Sequence, residues 1–180
     1  MDDKKDYLGF LLSFDGLFND YEAIDEEALD VDALLGRQIP AGHFRGVGMH
    51  GSGSMIALWR VDRATPWAAA PVVWLDSEGE PMAPIASSPA ELLSLLTMYT
   101  GTVYDALMDA LRPRAKGRGW NKRTAAGIES VAAEYEDHAR YVAGIRELGV
   151  KPLFNAFDVV RAAVVAHGTV TAWAQDFPPA

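Results

Sequence analysis

Between Gly51 and Leu96 the chain reads GSGSMIALWRVDRATPWAAAPVVWLDSEGEPMAPIASSPAELLSLL, and this stretch decides the fold. A glycine-serine turn precedes the apolar run Ser54–Val61, and a proline opens a second apolar run at Pro71–Leu75. Turn residues followed by short apolar runs are typical of strands joined by hairpins. The pattern predicts two strands here, and a third at Met82–Ile85 that pairs with the second.

A tight turn and a helix start lie on either side of the third strand. Asp76 and Gly79 hold the first and last positions of a predicted type I turn. The tetrapeptide SPAE at Ser88–Glu91 has the form of a capping box with proline at the first helical position, and leucines follow it at helical spacing. These elements carry no recognisable catalytic constellation, which favours a binding protein over an enzyme.

The flanking regions are predicted to be mainly helical, because apolar residues recur there every three or four positions. The predicted elements are helices at Asp6–Phe18, Tyr21–Leu35, Val103–Leu111, Thr124–Leu148 and Phe157–His167, a weak strand at His43–His50, and a closing turn at Thr169–Phe177. Glycines 36, 149 and 168 are the expected stops of three of these helices.

A chain of 180 residues corresponds to one domain, 1–180, in which residues 100–180 are a helical C-terminal extension. On folding, such a chain buries roughly 70% of the surface that its unfolded form exposes, which is enough for a hydrophobic core that needs no disulfide or metal cross-link. There is no cysteine, so no disulfide, thiolate nucleophile or thiolate metal site can form. The N-terminus lacks a signal-peptide pattern, and no apolar run approaches the ~20 residues of a membrane span. We therefore expect a soluble cytoplasmic protein.

The charge is unevenly placed along the chain. Residues 1–36 hold eleven acidic and two basic residues and residues 37–180 hold fourteen of each, so the formal net charge of −9 lies entirely in the first 36 residues. The more common explanation for such a cluster of acidic residues is a solvated face that aids solubility. The alternative is an acidic patch that steers a basic partner, and duplex nucleic acid is disfavoured as a partner of this end.

One glycine motif, Gly46–Gly51, matches the GxGxxG pattern. A dinucleotide site needs a strand before this motif and a helix after it, whereas the residues that follow here are strand-like. A kinase loop needs a lysine strand and an HRD-type loop, and the sequence contains neither. A hairpin loosened by glycine is the better interpretation.

The histidines offer two weak metal hypotheses. Glu134 and His138 are four residues apart on the long predicted helix, with Asp137 beside them, but zinc usually takes three or four protein ligands. A capped, partly buried histidine is the simpler account. His43 and His50 lie near glycines, where they would form a pH-sensitive or metal-binding patch. We predict no metal site, and an enzyme that uses these histidines ranks third among the alternatives.

The segment Arg112–Arg123 (RPRAKGRGWNKR) contains six basic residues, no acidic residue and one tryptophan, Trp120. This composition is typical of a nucleic-acid patch with one stacking aromatic. An exposed connection between helices, paired with the acidic N-terminal third, is the alternative. The acidic total charge of the chain favours that alternative.

The stretch Gly51–Leu96 resembles the SUKH superfamily, which is named in part for yeast cell-wall assembly regulators. Members show a glycine-rich lead into a strand like GSGSMIALW, a Pro-Val strand and acidic turn like PVVWLDSEGE, and a small-residue cap with a leucine-rich helix like IASSPAELLSLL. The segment DYLGFLLSFDG at 6–16 resembles the opening helix of the family, with its aromatic-leucine pair and terminal glycine. These motifs together cover about a third of the chain.

The resemblance implies an α+β fold with N-terminal helices, a central, mostly antiparallel sheet of about four to six strands, and a helical C-terminal region. Bacterial members look like immunity proteins of polymorphic toxin systems, which bind a cognate toxin, often a nuclease, and block it without doing chemistry. An acidic N-terminal third suits that role, because nucleases are commonly basic.

The resulting hypothesis is a non-enzymatic, cytoplasmic immunity-type protein that neutralises a basic cognate toxin by tight binding. It needs no cofactor, and membranes and nucleic acid are not expected partners. A general protein-binding adaptor or regulatory domain, with its interface in the helical C-terminal part, is the alternative. The predicted partner-binding residues are seven acids that steer association and one Pro-flanked tryptophan that anchors the partner. They are Asp20, Glu22, Asp25, Glu26, Glu27, Asp30, Asp32 and Trp67.

Overall fold

The chain forms an α+β fold around one antiparallel sheet, which confirms the predicted class. The computed structural model describes residues 6–13, 17, 18, 21–26, 29–79 and 81–180, with only the backbone described at positions 17, 18 and 26. Within these residues the strands are β1 (Leu17–Phe18), β2 (Tyr21–Glu26), β3 (Phe44–His50), β4 (Met55–Trp59), β5 (Val72–Leu75) and β6 (Met82–Ala86). The helices are α1 (Tyr7–Leu12), α2 (Asp32–Leu35), α3 (Pro89–Leu95), α4 (Thr100–Leu111), α5 (Trp120–Glu134), α6 (His138–Glu147), α7 (Ala156–His167) and α8 (Val170–Ala174).

The strands lie in the sheet in chain order, and each pair of neighbours is antiparallel. Glycines in tight turns make this meander possible. Gly53, with φ of 88°, lies in the β3–β4 turn, and Gly79, with φ of 115°, ends the β5–β6 turn. The amide of Gly79 donates to the carbonyl of Asp76 at 3.2 Å, as the predicted turn requires. Side chains other than glycine rarely adopt these φ values. The last strand, β6, forms an edge of the sheet and contains Pro84.

The predicted capping box starts α3 and directs it onto the sheet. The side chain of Ser88 accepts a hydrogen bond from the amide of Glu91 at 3.4 Å, and the Glu91 carboxylate accepts one from the amide of Ser87 at 2.7 Å. Pro89 occupies the first helical position, where a backbone N–H would have no acceptor within the helix, so proline is tolerated there. The leucines that follow are fully buried.

Both faces of the sheet are buried. On the first face, Ile56 and Trp74 pack with residues of α3, α4 and α7, among them Val160. On the second face, Trp59 packs with residues around α2 and with Val170 of α8. Because successive side chains of a strand point to opposite faces, strands covered on both sides read as continuous apolar runs. This explains the uninterrupted apolar character of β4 and β5.

The last residues of the chain fasten the cover of the second face. Arg37 forms an isolated bridge with Pro179, and the amide of Gln38 donates to the carbonyl of Pro178 at 2.9 Å. These bonds join the segment after α2 to the segment after α8. The two last helices pack on different faces of the sheet: α7 contributes to the core of the first face, and α8 to the core of the second.

The helix predicted at Tyr21–Leu35 is wrong, because its first part is β2 and only its last four residues form a helix, α2. Tyr21 is buried and Glu22 is exposed, which is the alternation of a strand. Pairing with β3 outweighs the weak helical pattern of this segment. As predicted, α2 ends at Gly36, where φ is 60°.

Two other predicted helices are shorter than expected. The first ends at Leu12, so that β1 forms within its predicted range. The long helix predicted at Thr124–Leu148 is two helices, α5 and α6. Tyr135 is extended, with φ of −109° and ψ of 113°, and this backbone conformation ends α5.

Two buried tyrosines tie β2 and α6 to the first face. The hydroxyl of Tyr21 donates to the carbonyl of Val47 at 2.5 Å, and that of Tyr141 donates to the carbonyl of Leu93 at 2.7 Å. Burial raises the pKa of both phenols above the usual 10.0. Both side chains are therefore neutral in the folded protein over the whole physiological range.

We expect the stability of the protein to fall as the pH rises above about 10. A tyrosine in the unfolded chain loses its proton near pH 10, whereas the buried phenols keep theirs. Their contribution is present in full below that pH and is lost above it, because deprotonation then favours the unfolded chain. Urea unfolding at a series of alkaline pH values measures this. Tyr21→Phe should make the free energy of unfolding fall less steeply with pH than in the unmodified protein; an unchanged slope would contradict the role of burial.

Candidate partner-binding surfaces

Three carboxylates of the acidic N-terminal third are exposed. Glu22 and Asp25 lie on β2, and Asp30 precedes α2. These three residues are termed the acidic edge. In the sheet, Glu22 is opposite Leu17 of β1 and Met49 of β3. Exposed charge of one sign attracts an oppositely charged partner before contact is made.

Asp25 is paired within the protein. Its Oδ1 accepts hydrogen bonds from Arg45 of β3, with Nη2 at 2.7 Å and Nε at 3.1 Å. The Arg45 side chain is 15% exposed and the Asp25 side chain is 49% exposed. An ion pair this accessible contributes about 1 kcal/mol or less. The charge of Asp25 is largely balanced by its neighbour, so Glu22 and Asp30 contribute more to the external field.

Asp32, another predicted steering residue, organises the loop after α2. Its Oδ1 accepts a hydrogen bond from the amide of Ile39 at 2.8 Å, and the residue is half-buried. Asp30 in turn accepts from the amide of Asp32 at 2.9 Å but remains exposed. Aspartates commonly fix turns in this way. Asp32 is therefore less accessible to a partner than Asp30.

The structure does not place the other predicted steering acids. Asp20 and Glu27 lie outside the described residues. For Glu26 only the backbone is described, and it pairs with Gly46. The part of these three acids in partner binding stays a prediction.

Trp67, the predicted anchor, begins a 3-10 turn between β4 and β5. It is half-buried and packs against the first-face core. The guanidinium of Arg60 lies over the indole, with Cζ 3.8 Å from the ring centroid, and Arg60 also donates to the carbonyl of Gly42. A cation–π contact at an accessible position contributes about 0.5–1 kcal/mol. Trp67 thus stabilises the β4–β5 connection, and its use by a partner stays a prediction.

The basic segment connects α4 to α5, and its tryptophan is buried. Trp120 is 2% exposed, and its indole N–H donates to the carboxylate of Asp109 at 3.0 Å. Arg123 lies over the same indole, 4.2 Å from the ring centroid, and pairs with Asp105 at 2.8 Å. A buried ring cannot stack on bases, so Trp120 does not supply the stacking side chain that the nucleic-acid interpretation requires. Within the described residues, the ion pairs of this segment are with α4 and not with the acidic N-terminal third.

The predicted pH-sensitive or metal-binding patch of His43 and His50 does not form, because the two residues are far apart. His43 precedes β3 and His50 ends it, so about 20 Å of strand separates them. His43 Nδ1 lies 2.6 Å from the carbonyl of Arg60, and its ring packs against Trp173. His50 Nδ1 lies 2.8 Å from Oγ of Ser52. Each ring therefore has its own structural neighbours at its own end of the strand.

Glu134 and His138 are also directed to different neighbours. His138 begins α6 and is 6% exposed, and its Nε2 lies 2.9 Å from the carbonyl of Thr97. Glu134 accepts a hydrogen bond from the hydroxyl of Tyr99. In the part of the chain that the structure describes, no group of three or more His, Cys, Asp or Glu is arranged to hold a metal ion.

The GxGxxG motif has a packing role in the hairpin. The register of β3 against β4 shifts between Gly46 and Gly48, and β4 follows where a dinucleotide site would need a helix. A Cβ atom on Gly48 would lie 1.9 Å from Cε2 of Tyr21. An aromatic side chain that covers a glycine on the neighbouring strand helps to fix strand register. The glycine at position 48 is therefore explained by the tyrosine packed on it.

One exposed aromatic is not predicted from the sequence. Phe154, in the α6–α7 connection, is 77% exposed, more than any other large apolar side chain of the described residues. It borders two clefts of about 490 and 480 Å³, one extending to α3 and the other to α5. Exposed aromatics beside concave surfaces are typical anchors of protein interfaces. The available signal was the Pro-Leu-Phe run just before the helix cap Asn155.

Among the described residues no helix is both long enough and apolar enough to cross a membrane. No family model, curated protein or solved structure matches the chain. The resemblance to the SUKH superfamily therefore rests on the sequence motifs themselves.

Proposed function

We propose that this chain is a non-enzymatic, cytoplasmic protein that binds and neutralises a basic cognate toxin, as immunity proteins of the SUKH superfamily do. The observation that carries the proposal is the acidic edge. Its carboxylates are exposed in the part of the chain that holds the entire net negative charge. Exposed charge of one sign accelerates association with a partner of the opposite charge.

Two kinds of contact have separate effects in such a complex. Attraction by Glu22 and Asp30 raises the rate of encounter, and salt weakens it because the Debye length is about 8 Å at physiological ionic strength. The lifetime of the complex depends instead on apolar contacts that exclude water, for which Trp67 is the predicted residue. Neutralisation requires only that the bound protein cover the active site of the toxin.

We expect Glu22→Lys to slow association with the toxin roughly threefold at low salt and to have little effect at high salt. The partner for this test is a toxin domain sought among the neighbouring reading frames, and biolayer interferometry at low and high ionic strength measures the rates. Glu129→Lys on α5 is the matched control, because this exposed glutamate gives the same change of net charge on another element. Equal association rates for both variants would count against steering by the acidic edge.

The biological readout of this proposal is growth. Cells that produce the toxin domain should grow when this chain is co-produced and should fail to grow without it. If co-production does not restore growth, and no complex forms in vitro, the immunity function is wrong.

A general protein-binding adaptor is the second candidate, and the exposed Phe154 favours it. An adaptor that binds through its helical part should lose its partner on Phe154→Glu and keep it on Glu22→Lys. An immunity protein steered by the acidic edge should respond most strongly to Glu22→Lys in its association rate. Applying both variants to the same complex separates the two functions.

A further inference from the structure

A cleft of positive charge lies at the connection between α4 and α5. Its volume is about 310 Å³, and its basic lining residues are Arg112, Arg114, Lys116 and Arg118. We refer to it as the basic cleft. Its other lining residues include the carboxylate-bearing Asp109. The residues of the acidic edge take no part in it, so the inference drawn from it does not depend on toxin binding.

The charges of the basic cleft are not balanced by its own carboxylate. Asp109 pairs with Arg112 at 3.0 Å and with Arg123 at 3.8 Å, and so is already shared between two guanidinium groups. Arg114, Lys116 and Arg118 are exposed, and none of them forms an ion pair within the described ranges. Three cations of the cleft are therefore able to bind an anion without breaking an internal pair.

The loop that carries these cations is packed against the body of the protein. Gly117 has φ of 60°, and a Cβ at this position would lie 2.4 Å from Cδ1 of Phe157 on α7. Trp120, next to the cleft, is held by its hydrogen bond to Asp109. A loop fixed in this way loses less conformational entropy on binding a ligand than a mobile loop does.

We propose that the basic cleft binds a phosphate group, either as inorganic phosphate or as a small phosphomonoester. Guanidinium groups match phosphate oxygens with paired N–H donors, and lysine adds a compact positive charge. The volume lies at the lower end of the ~300–1,000 Å³ of typical ligand sites. This size fits a small anion, and the buried Trp120 offers no stacking platform for a nucleic-acid strand.

Isothermal titration calorimetry of the full chain tests the proposal with two probes, inorganic phosphate and O-phosphoserine, at low salt. The loss variant replaces the three unpaired cations: Arg114→Gly, Lys116→Gln and Arg118→Gln. Glycine is chosen at position 114 because φ is 65° there, a value that glycine adopts without strain. The control variant removes three exposed cations from other elements: Arg63→Gln, Arg146→Gln and Lys151→Gln.

We expect saturable binding of at least one probe, at least a tenfold loss of affinity in the loss variant, and little change in the control variant. Tighter binding of one probe supports the proposal and identifies the source of the phosphate. No saturable binding to the unmodified chain, or an equal loss in both variants, would overturn it. A single-stranded oligonucleotide is titrated as a third ligand. Tighter binding of the oligonucleotide than of both phosphate probes would also overturn the proposal. If circular dichroism shows the loss variant unfolded, Arg118→Gln alone should weaken binding about threefold, and unchanged binding would refute the site.

Discussion

Gly48→Ala is expected to destabilise the protein by about 3 kcal/mol, at the upper end of the usual cost of overpacking. The new Cβ would lie 1.9 Å from Cε2 and 2.3 Å from Cζ of Tyr21. The tyrosine cannot easily move aside, because it is 2% exposed and its hydroxyl is bonded to the carbonyl of Val47. Urea unfolding measures the loss of free energy.

Gly101→Ala is the matched control for this substitution. A Cβ at Gly101 meets no atom within 4 Å, and the residue lies in α4. Alanine there should leave stability unchanged or raise it by up to about 1 kcal/mol. A loss in Gly48→Ala no larger than in the control would contradict the close packing of β2 on β3.

A double-mutant cycle locates the effect at the tyrosine. Tyr21→Ala alone should cost about 3–5 kcal/mol, because it removes a buried ring. Once the ring is gone, the methyl group at position 48 has space, so the double variant should lose about 2 kcal/mol less than the sum of the single losses. Additive losses would mean that the methyl group acts on the backbone of β3 and not on Tyr21.

Trp173→Ala is the second substitution with a large expected effect, about 3 kcal/mol of lost stability. The indole joins α8 to the second face of the sheet. Its ring centroid lies 5.5 Å from that of Trp59, 5.9 Å from that of Phe44 and 4.7 Å from that of Phe177. Aromatic pairs at these distances contribute about 0.5–1.5 kcal/mol each beyond burial, so their joint loss is severe.

Phe154→Ala is the matched control for the tryptophan. The phenylalanine is 77% exposed, and truncating so exposed a side chain should change stability by no more than about 0.5 kcal/mol. Urea unfolding of both variants, followed by near-ultraviolet circular dichroism, reports stability and aromatic packing together. Similar losses for the two variants would show that α8 does not hold the second face.

The central part of the fold could be predicted because its signals are local. Turn glycines, the cap at Ser88 and uninterrupted apolar runs lie within a few residues of the elements they define. The error at Tyr21–Leu35 has a different cause. The conformation of this segment depends on its pairing with β3, and the space for Tyr21 is provided by Gly48, 27 positions away in the printed sequence.

The candidate surfaces were predictable to a smaller extent. Composition alone places the net negative charge in the first 36 residues. It does not show that Arg45 balances Asp25, or that the buried indole of Trp120 donates to Asp109. Each of these contacts joins elements that only the tertiary fold brings together. The same reason explains why Phe154 was missed, since its exposure depends on how α6 and α7 meet.

Pro84 in β6 has a consequence for how any partner can attach. Some protein complexes form when a strand of the partner extends a sheet at its edge, through main-chain hydrogen bonds. Proline has no N–H to donate and disfavours such an extension along β6. At the opposite edge, the described residues of β1 are two, and they provide a short run of main-chain donors and acceptors. In the described part of the sheet, the edges therefore favour recognition of the proposed partner through side chains over extension of the sheet.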